Sequence, residues 1–380
     1  MNSTVQSPAT ASFIDETPEP SPSWGVQLTT AVLSAWVLGG LFLDGWAHGE
    51  LPELESFFTP WHAVLYSGLL ATAAWIALQC VHGYRRGRRG RRAIPYGYGL
   101  GLVGAMLFGV AGLFDLAWHT AFGIEENLAA LLSPPHLALG LAAALMITTP
   151  ARSVWRTGGG EVRPSFVGFL PVLLSVTLLT VAAAFFLAYA NAFHAGVAAI
   201  GGGVADVPRA TGQGAGEGDP RQVVELATVL ITNVLLIVPL LALAARWRLP
   251  LGATTTLFVT VAAFSTAEHG FESGELILAA ALGGVVGDTL IAMLKPSVDR
   301  PAAFRAVATA TPAALWLAYF AVTAVFSGLA WPPELWAGAV VLTAFTGLGL
   351  SLLISPPAAS APALTGGAAT PPSRWLRGSA

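Results

Sequence analysis

One cysteine, Cys80, in 380 residues excludes an intrachain disulfide and any metal site built on several thiolates. Charge is scarce too. Asp, Glu, Lys and Arg make up 10% of the chain against 54% hydrophobic residues, and arginine almost entirely displaces lysine. A chain so poor in charge, with a mean hydropathy of +0.67, is not a soluble domain. Nor does it carry the basic surface of a nucleic-acid binder, and no nucleic-acid partner is expected. The first 22 residues hold Asp15, Glu16 and Glu19 but no Arg or Lys, so they lack the charged start of a signal peptide.

What is present is a series of long apolar runs. Spans are expected at 25–47, 61–83, 96–118, 135–151, 166–190, 223–245, 250–268, 276–294, 307–328 and 335–354. The expectation is an all-α polytopic protein of about ten crossings, each near the ~20 residues that a bilayer requires. Of the 18 Arg and Lys residues, only Arg209 and Arg221 fall on the side opposite the termini. The densest cluster runs from Arg85 to Arg92. The positive-inside rule then puts both termini in the cytoplasm of a bacterial plasma membrane, and most acidic residues on the outer face. The arginine run reads as a topology anchor touching anionic lipid.

The organisation divides into four parts. Residues 1–22 and 355–380, rich in Pro, Ser, Ala and Gly, read as disordered cytoplasmic tails. Residues 23–152 form a four-helix unit, and 153–354 a six-helix region with a Gly-rich outer loop at 195–222.

The four-helix unit carries the chemistry. Asp44-x3-His48 is followed by Thr59-Pro60-x-His62, and Asp115-x3-His119 by Ser133-Pro134-x-His136. An Asp and a His four residues apart share one helix face, and the His after the Pro opens the next helix. Spans 1–2 and 3–4 therefore read as a parallel internal repeat, each copy offering one oxygen and two nitrogens at the outer membrane boundary. Such groups are costly inside an apolar chain and are rarely placed without a role. The donor set suits copper, iron or zinc and not magnesium or calcium. Three protein ligands leave positions open for water, dioxygen or substrate. Glu55, Glu125 and Glu126 in the motif loops, and Glu268 and His269 at the end of the seventh span, are candidates for orienting the ligands. His194 lies on the same side. His82 belongs to the other and reads as a headgroup contact. Asp288, inside the eighth span, reads equally as an interhelical pair or as a point on an ion path.

The stretch Phe58-Thr59-Pro60-Trp61-His62 after Asp44-x3-His48 resembles the C subunit of the particulate methane and ammonia monooxygenases. His119-Thr120-Ala121-Phe122-Gly123-Ile124-Glu125-Glu126 leading to His136 is similar to the second motif of that family. The resemblance covers roughly residues 40–140. It implies two copper sites, at Asp44, His48 and His62 and at Asp115, His119 and His136. It also implies dioxygen activation to oxidise a small apolar substrate, and association with other membrane subunits or in a homo-oligomer. The family has Asn where this chain has Asp115, and its loop to the last His is shorter. Three other classes use the same ligands: a copper or other metal transporter or chaperone, with Asp288 on the path, a zinc-dependent membrane hydrolase with Glu55 or Glu126 as general base, and a structural site that binds the two repeat halves together.

Overall fold

Ser23 starts the first helix by accepting a hydrogen bond from the Val26 N–H, which satisfies one of the donors that a helix N-terminus leaves over. The computed structural model describes residues 21–51, 59–123, 131–155, 163–202 and 220–356. Within them every extended element is helical: α1 (Trp24–Glu50), α2 (Pro60–Arg85), α3 (Tyr98–Phe122), α4 (Pro134–Ile147), α5 (Thr149–Trp155), α6 (Phe166–Phe186), the short α7 (Ala192–Ala195), α8 (Pro220–Arg246), α9 (Ala253–Ala267), α10 (Leu276–Leu294), α11 (Pro301–Phe326) and α12 (Pro333–Ile354). The only pairings of extended backbone among these residues are two isolated bridges, Ala199 with Leu329 and Ser297 with Arg300.

Eight of these helices (α1, α2, α3, α6, α8, α10, α11 and α12) are long and apolar enough to cross a membrane. The chain is thus a multi-pass membrane protein. Two expected crossings take another form. The run 135–151 becomes α4 and α5, bent by 44°, and counts as a ninth crossing only if the pair acts as one. Pro150 cannot donate a helix hydrogen bond. Arg152 reaches back across the break to the Leu145 carbonyl (2.6 Å) and, within α5, donates to the Thr149 hydroxyl (3.0 Å). The run 250–268 becomes α9, of only 15 residues. At 1.5 Å per residue it is about 22 Å long, short of the ~30 Å hydrocarbon core.

Asp288 explains where α9 begins. Its carboxylate, buried on α10, accepts from the backbone N–H of Thr254 (2.9 Å) and of Thr255 (3.1 Å), and from the Thr255 hydroxyl (2.7 Å). Left without partners in an apolar bundle, those first-turn donors would each cost several kcal/mol. The intramembrane carboxylate is therefore a cap supplied by a neighbouring helix.

The helices pack as antiparallel neighbours: α1 with α2, α3 with α4, and α9, α10, α11 and α12 in succession. α2 also packs on α3, and α6 joins α1 to α9. Glycines set the closest approaches, as in other membrane bundles. A Cβ on Gly40 would stand 2.6 Å from the Leu65 Cα, and one on Gly283 2.7 Å from the Leu315 Cα. Gly284, on the same helix, faces α9 in the same way: a Cβ there would stand 2.6 Å from the Thr255 Cα. The expected tails lie almost wholly outside the described residues. Of the loop 195–222, residues 196–202 are tethered by Ile200 N–H to the Gly328 carbonyl (3.0 Å).

Candidate metal centre

The two hairpins place their acid and imidazole groups at the same end of the bundle. At the end of α1, Asp44 and His48 are one turn apart. His62, at the start of α2, is held by its own N-cap. Thr59 Oγ1 accepts from the His62 backbone N–H (3.1 Å) and lies 3.0 Å from its Nδ1. This turns Nε2 toward Asp44, whose Oδ2 is 3.5 Å from His62 Nε2 and 3.8 Å from His48 Nε2. The second hairpin repeats the hydroxyl-to-imidazole contact, though Ser133 makes no side-chain hydrogen bond to the backbone of α4. Ser133 Oγ lies 2.9 Å from His136 Nδ1, and Asp115 Oδ1 is 3.2 Å from His136 Nε2 and 3.4 Å from His119 Nε2. Within each trio, one ligand atom from each residue lies within 4.8 Å of the other two.

These spacings can accommodate an ion at the centre. A charge-assisted N–H···O bond closes to about 2.7–2.9 Å. Two ligands of a tetrahedral ion with bonds of 2.0–2.1 Å stand roughly 3.3 Å apart, close to the shortest distances in the two trios, 3.5 and 3.2 Å. His119 adds a chemical argument. Its Nδ1 is 3.2 Å from the Gly123 carbonyl, which can only accept, so Nδ1 carries a proton. In the neutral ring Nε2 then turns a lone pair toward the Asp115 carboxylate. Two acceptors facing each other require a cation between them, either a proton or a metal. Asp44 Oδ1 is buried with no hydrogen-bond partner among the described residues, a costly arrangement for a carboxylate oxygen.

The trios differ in how the carboxylate is held. Tyr66, one turn beyond His62 on α2, donates its hydroxyl to Asp115 Oδ2 at 2.5 Å. The other oxygen, Oδ1, is left to face the imidazoles. The Tyr66 ring also stacks loosely on His62, with centroids 6.2 Å apart. One side chain thus touches both trios. Neither Tyr66 nor the two cap hydroxyls stood out in the sequence. The Thr and Ser of the [ST]-P-x-H motifs were the available signal, whereas Tyr66 had only its i+4 spacing from His62.

Of the residues expected to orient ligands, Glu55, Glu125 and Glu126 lie outside the described residues. Glu268 and His269 join His194 beside the first hairpin. Glu268 Oε2 is 3.2 Å from His194 Nδ1, and His194 Nε2 is 3.0 Å from His269 Nε2. A Cβ on Gly45, the neighbour of Asp44, would lie 3.6 Å from Glu268 Oε1. The sequence separates His194 from Glu268 by two helices; α6 and α9 bring the two ends together.

No family model, curated protein or solved structure matches this chain.

Proposed function

We propose that this chain is a membrane metalloprotein with two His2Asp centres, one per hairpin, loaded with copper. The observation that carries it is the convergence of two trios, built by the same motif in the same order, at ligand-to-ligand distances suited to an ion. Asp44, His48 and His62 would hold one ion, and Asp115, His119 and His136 the other. The hairpins then form an internal repeat of parallel topology, set at the periplasmic face of a bacterial inner membrane with both termini inside.

Copper is preferred to zinc or iron because the donor set admits it and because the motifs resemble those of the copper-dependent membrane monooxygenases. On that resemblance the activity is oxidation of a small apolar substrate with dioxygen, performed with other membrane subunits. Bound copper would supply redox chemistry and an oxygen-binding position. The protein would supply geometry and exclude water. Asp44 and Asp115 would balance the ion's charge, the cap hydroxyls would aim the imidazoles, and Tyr66 would hold Asp115 with one oxygen toward the ion. The transporter reading drew on Asp288, which is occupied in capping α9.

The test is spectroscopic. Full-length protein purified in detergent and loaded with copper(II) is expected to show paramagnetic resonance with nitrogen hyperfine splitting from imidazole. His48→Ala and His119→Ala should each remove one component. Protein that takes up zinc alone, with no copper signal, would turn the reading to the hydrolase class.

A further inference from the structure

The bundle end remote from the trios holds a second site. α6 runs from Phe166 there to Phe185 beside Gly45 at the trio end. Before α6, and past the ends of α8 and α10, the chain encloses a cavity of about 240 Å3. Three cations line it (Arg163, Arg248 and Lys295) together with the apolar Trp247, Ile291 and Ala292. Among the described residues no acidic side chain pairs with any of the three.

Two details mark the site as built. Arg163 Nε donates to the Leu249 carbonyl at 2.8 Å, which anchors the guanidinium at the cavity and leaves its terminal amino groups for another acceptor. Lys295 ends α10 in the left-handed region, with φ of 49°. That conformation costs a non-glycine residue roughly 1–2 kcal/mol, and glycine is the usual occupant of such a helix end. Lysine therefore persists where the backbone would favour a residue without a side chain. Three like charges around one concavity repel each other until an anion enters. The aromatic and aliphatic walls, at a helix end beside the membrane boundary, suit an anion carrying hydrocarbon.

We propose that this cavity binds the phosphate of an anionic membrane phospholipid, with the cations on the headgroup and Trp247, Ile291 and Ala292 against the first acyl carbons. Basic pockets between helices at the cytoplasmic boundary are suited to such headgroups. This inference does not depend on the metal reading.

Native mass spectrometry of the delipidated full-length protein, titrated with phosphatidylglycerol or phosphatidylcholine, tests it. Phosphatidylglycerol should be retained in preference to phosphatidylcholine. The Lys295→Gly variant relieves the backbone and removes one charge. It is expected to keep or raise thermal stability while weakening phosphatidylglycerol binding roughly fivefold. Arg163→Gln with Arg248→Gln and Lys295→Gly should weaken it by upwards of ~50-fold. Equal lipid retention by the wild type and both variants would overturn the proposal. Displacement of the lipid by millimolar inorganic phosphate, which would make this a soluble-anion site, would overturn it too.

Discussion

Tyr66 and Asp115 are joined across two hairpins by a hydroxyl-to-carboxylate hydrogen bond of 2.5 Å. The helix that supplies His62 to the first trio thereby fixes the carboxylate of the second. Asp44 has no such partner: its Oδ1 is buried without a hydrogen bond among the described residues. The two trios thus carry the same side chains with unequal support, and the proposed ions are expected to bind them with different affinities.

Tyr66→Phe should weaken the second centre by roughly 10–100-fold, the usual cost of losing a group that orients a metal ligand. The first centre should change little, since the ring beside His62 is kept. Competitive titration with a chelator, read separately for the two ions, measures this. Equal weakening at both centres would mean that Tyr66 acts through general packing.

Gly40 is one turn before Asp44 and lets α1 approach α2 within van der Waals contact of Leu65. Gly40→Ala puts a methyl group 2.6 Å from the Leu65 Cα, so the helices must part at the position that sets the distance from Asp44 to His62. The first centre should lose its ion and the second should keep it. Metal content per chain reads the outcome directly.

Asp288→Ala removes the acceptor for three donors at the start of α9. Each buried donor left without a partner costs about 1–3 kcal/mol, so a marked fall in thermal stability is expected with the metal stoichiometry unchanged. Asp288→Asn, which keeps one carbonyl acceptor, should fall between. Loss of metal uptake at unchanged stability would return Asp288 to an ion path.

Metal affinity should rise with pH. Each imidazole must give up its proton to coordinate, so binding weakens as the pH falls through the range in which the imidazoles protonate and levels off above it. With two imidazoles per centre, affinity should fall by up to ~100-fold per pH unit well below that range. Isothermal titration in buffers of different ionisation enthalpy would count the protons released. A pH-independent affinity would exclude imidazole ligation.

Much of this architecture was legible in the sequence, for physical reasons. Apolar runs long enough to cross a bilayer have few alternatives, and helical spacing puts Asp44 beside His48 and Asp115 beside His119. The proline after Thr59 or Ser133 marks the helix start that presents the next His. Contacts made across the fold were not legible. Nothing local to Tyr66 points to Asp115, 49 residues away. Nothing in the run 250–268 shows that its helix is cut to 15 residues and capped from α10. The bend at Thr148 needed Arg152 folded back on Leu145, a pairing that the hydropathy pattern does not record.

Elemental analysis of the detergent-purified full-length protein, with ions counted per chain, tests the two-centre account most directly when wild type is compared with His62→Ala, His136→Ala and the double variant. The account predicts two copper ions in wild type, one in each single variant and none in the double, with all four assembling alike. A wild type without bound metal after copper loading, or a double variant that retains both ions, would contradict it.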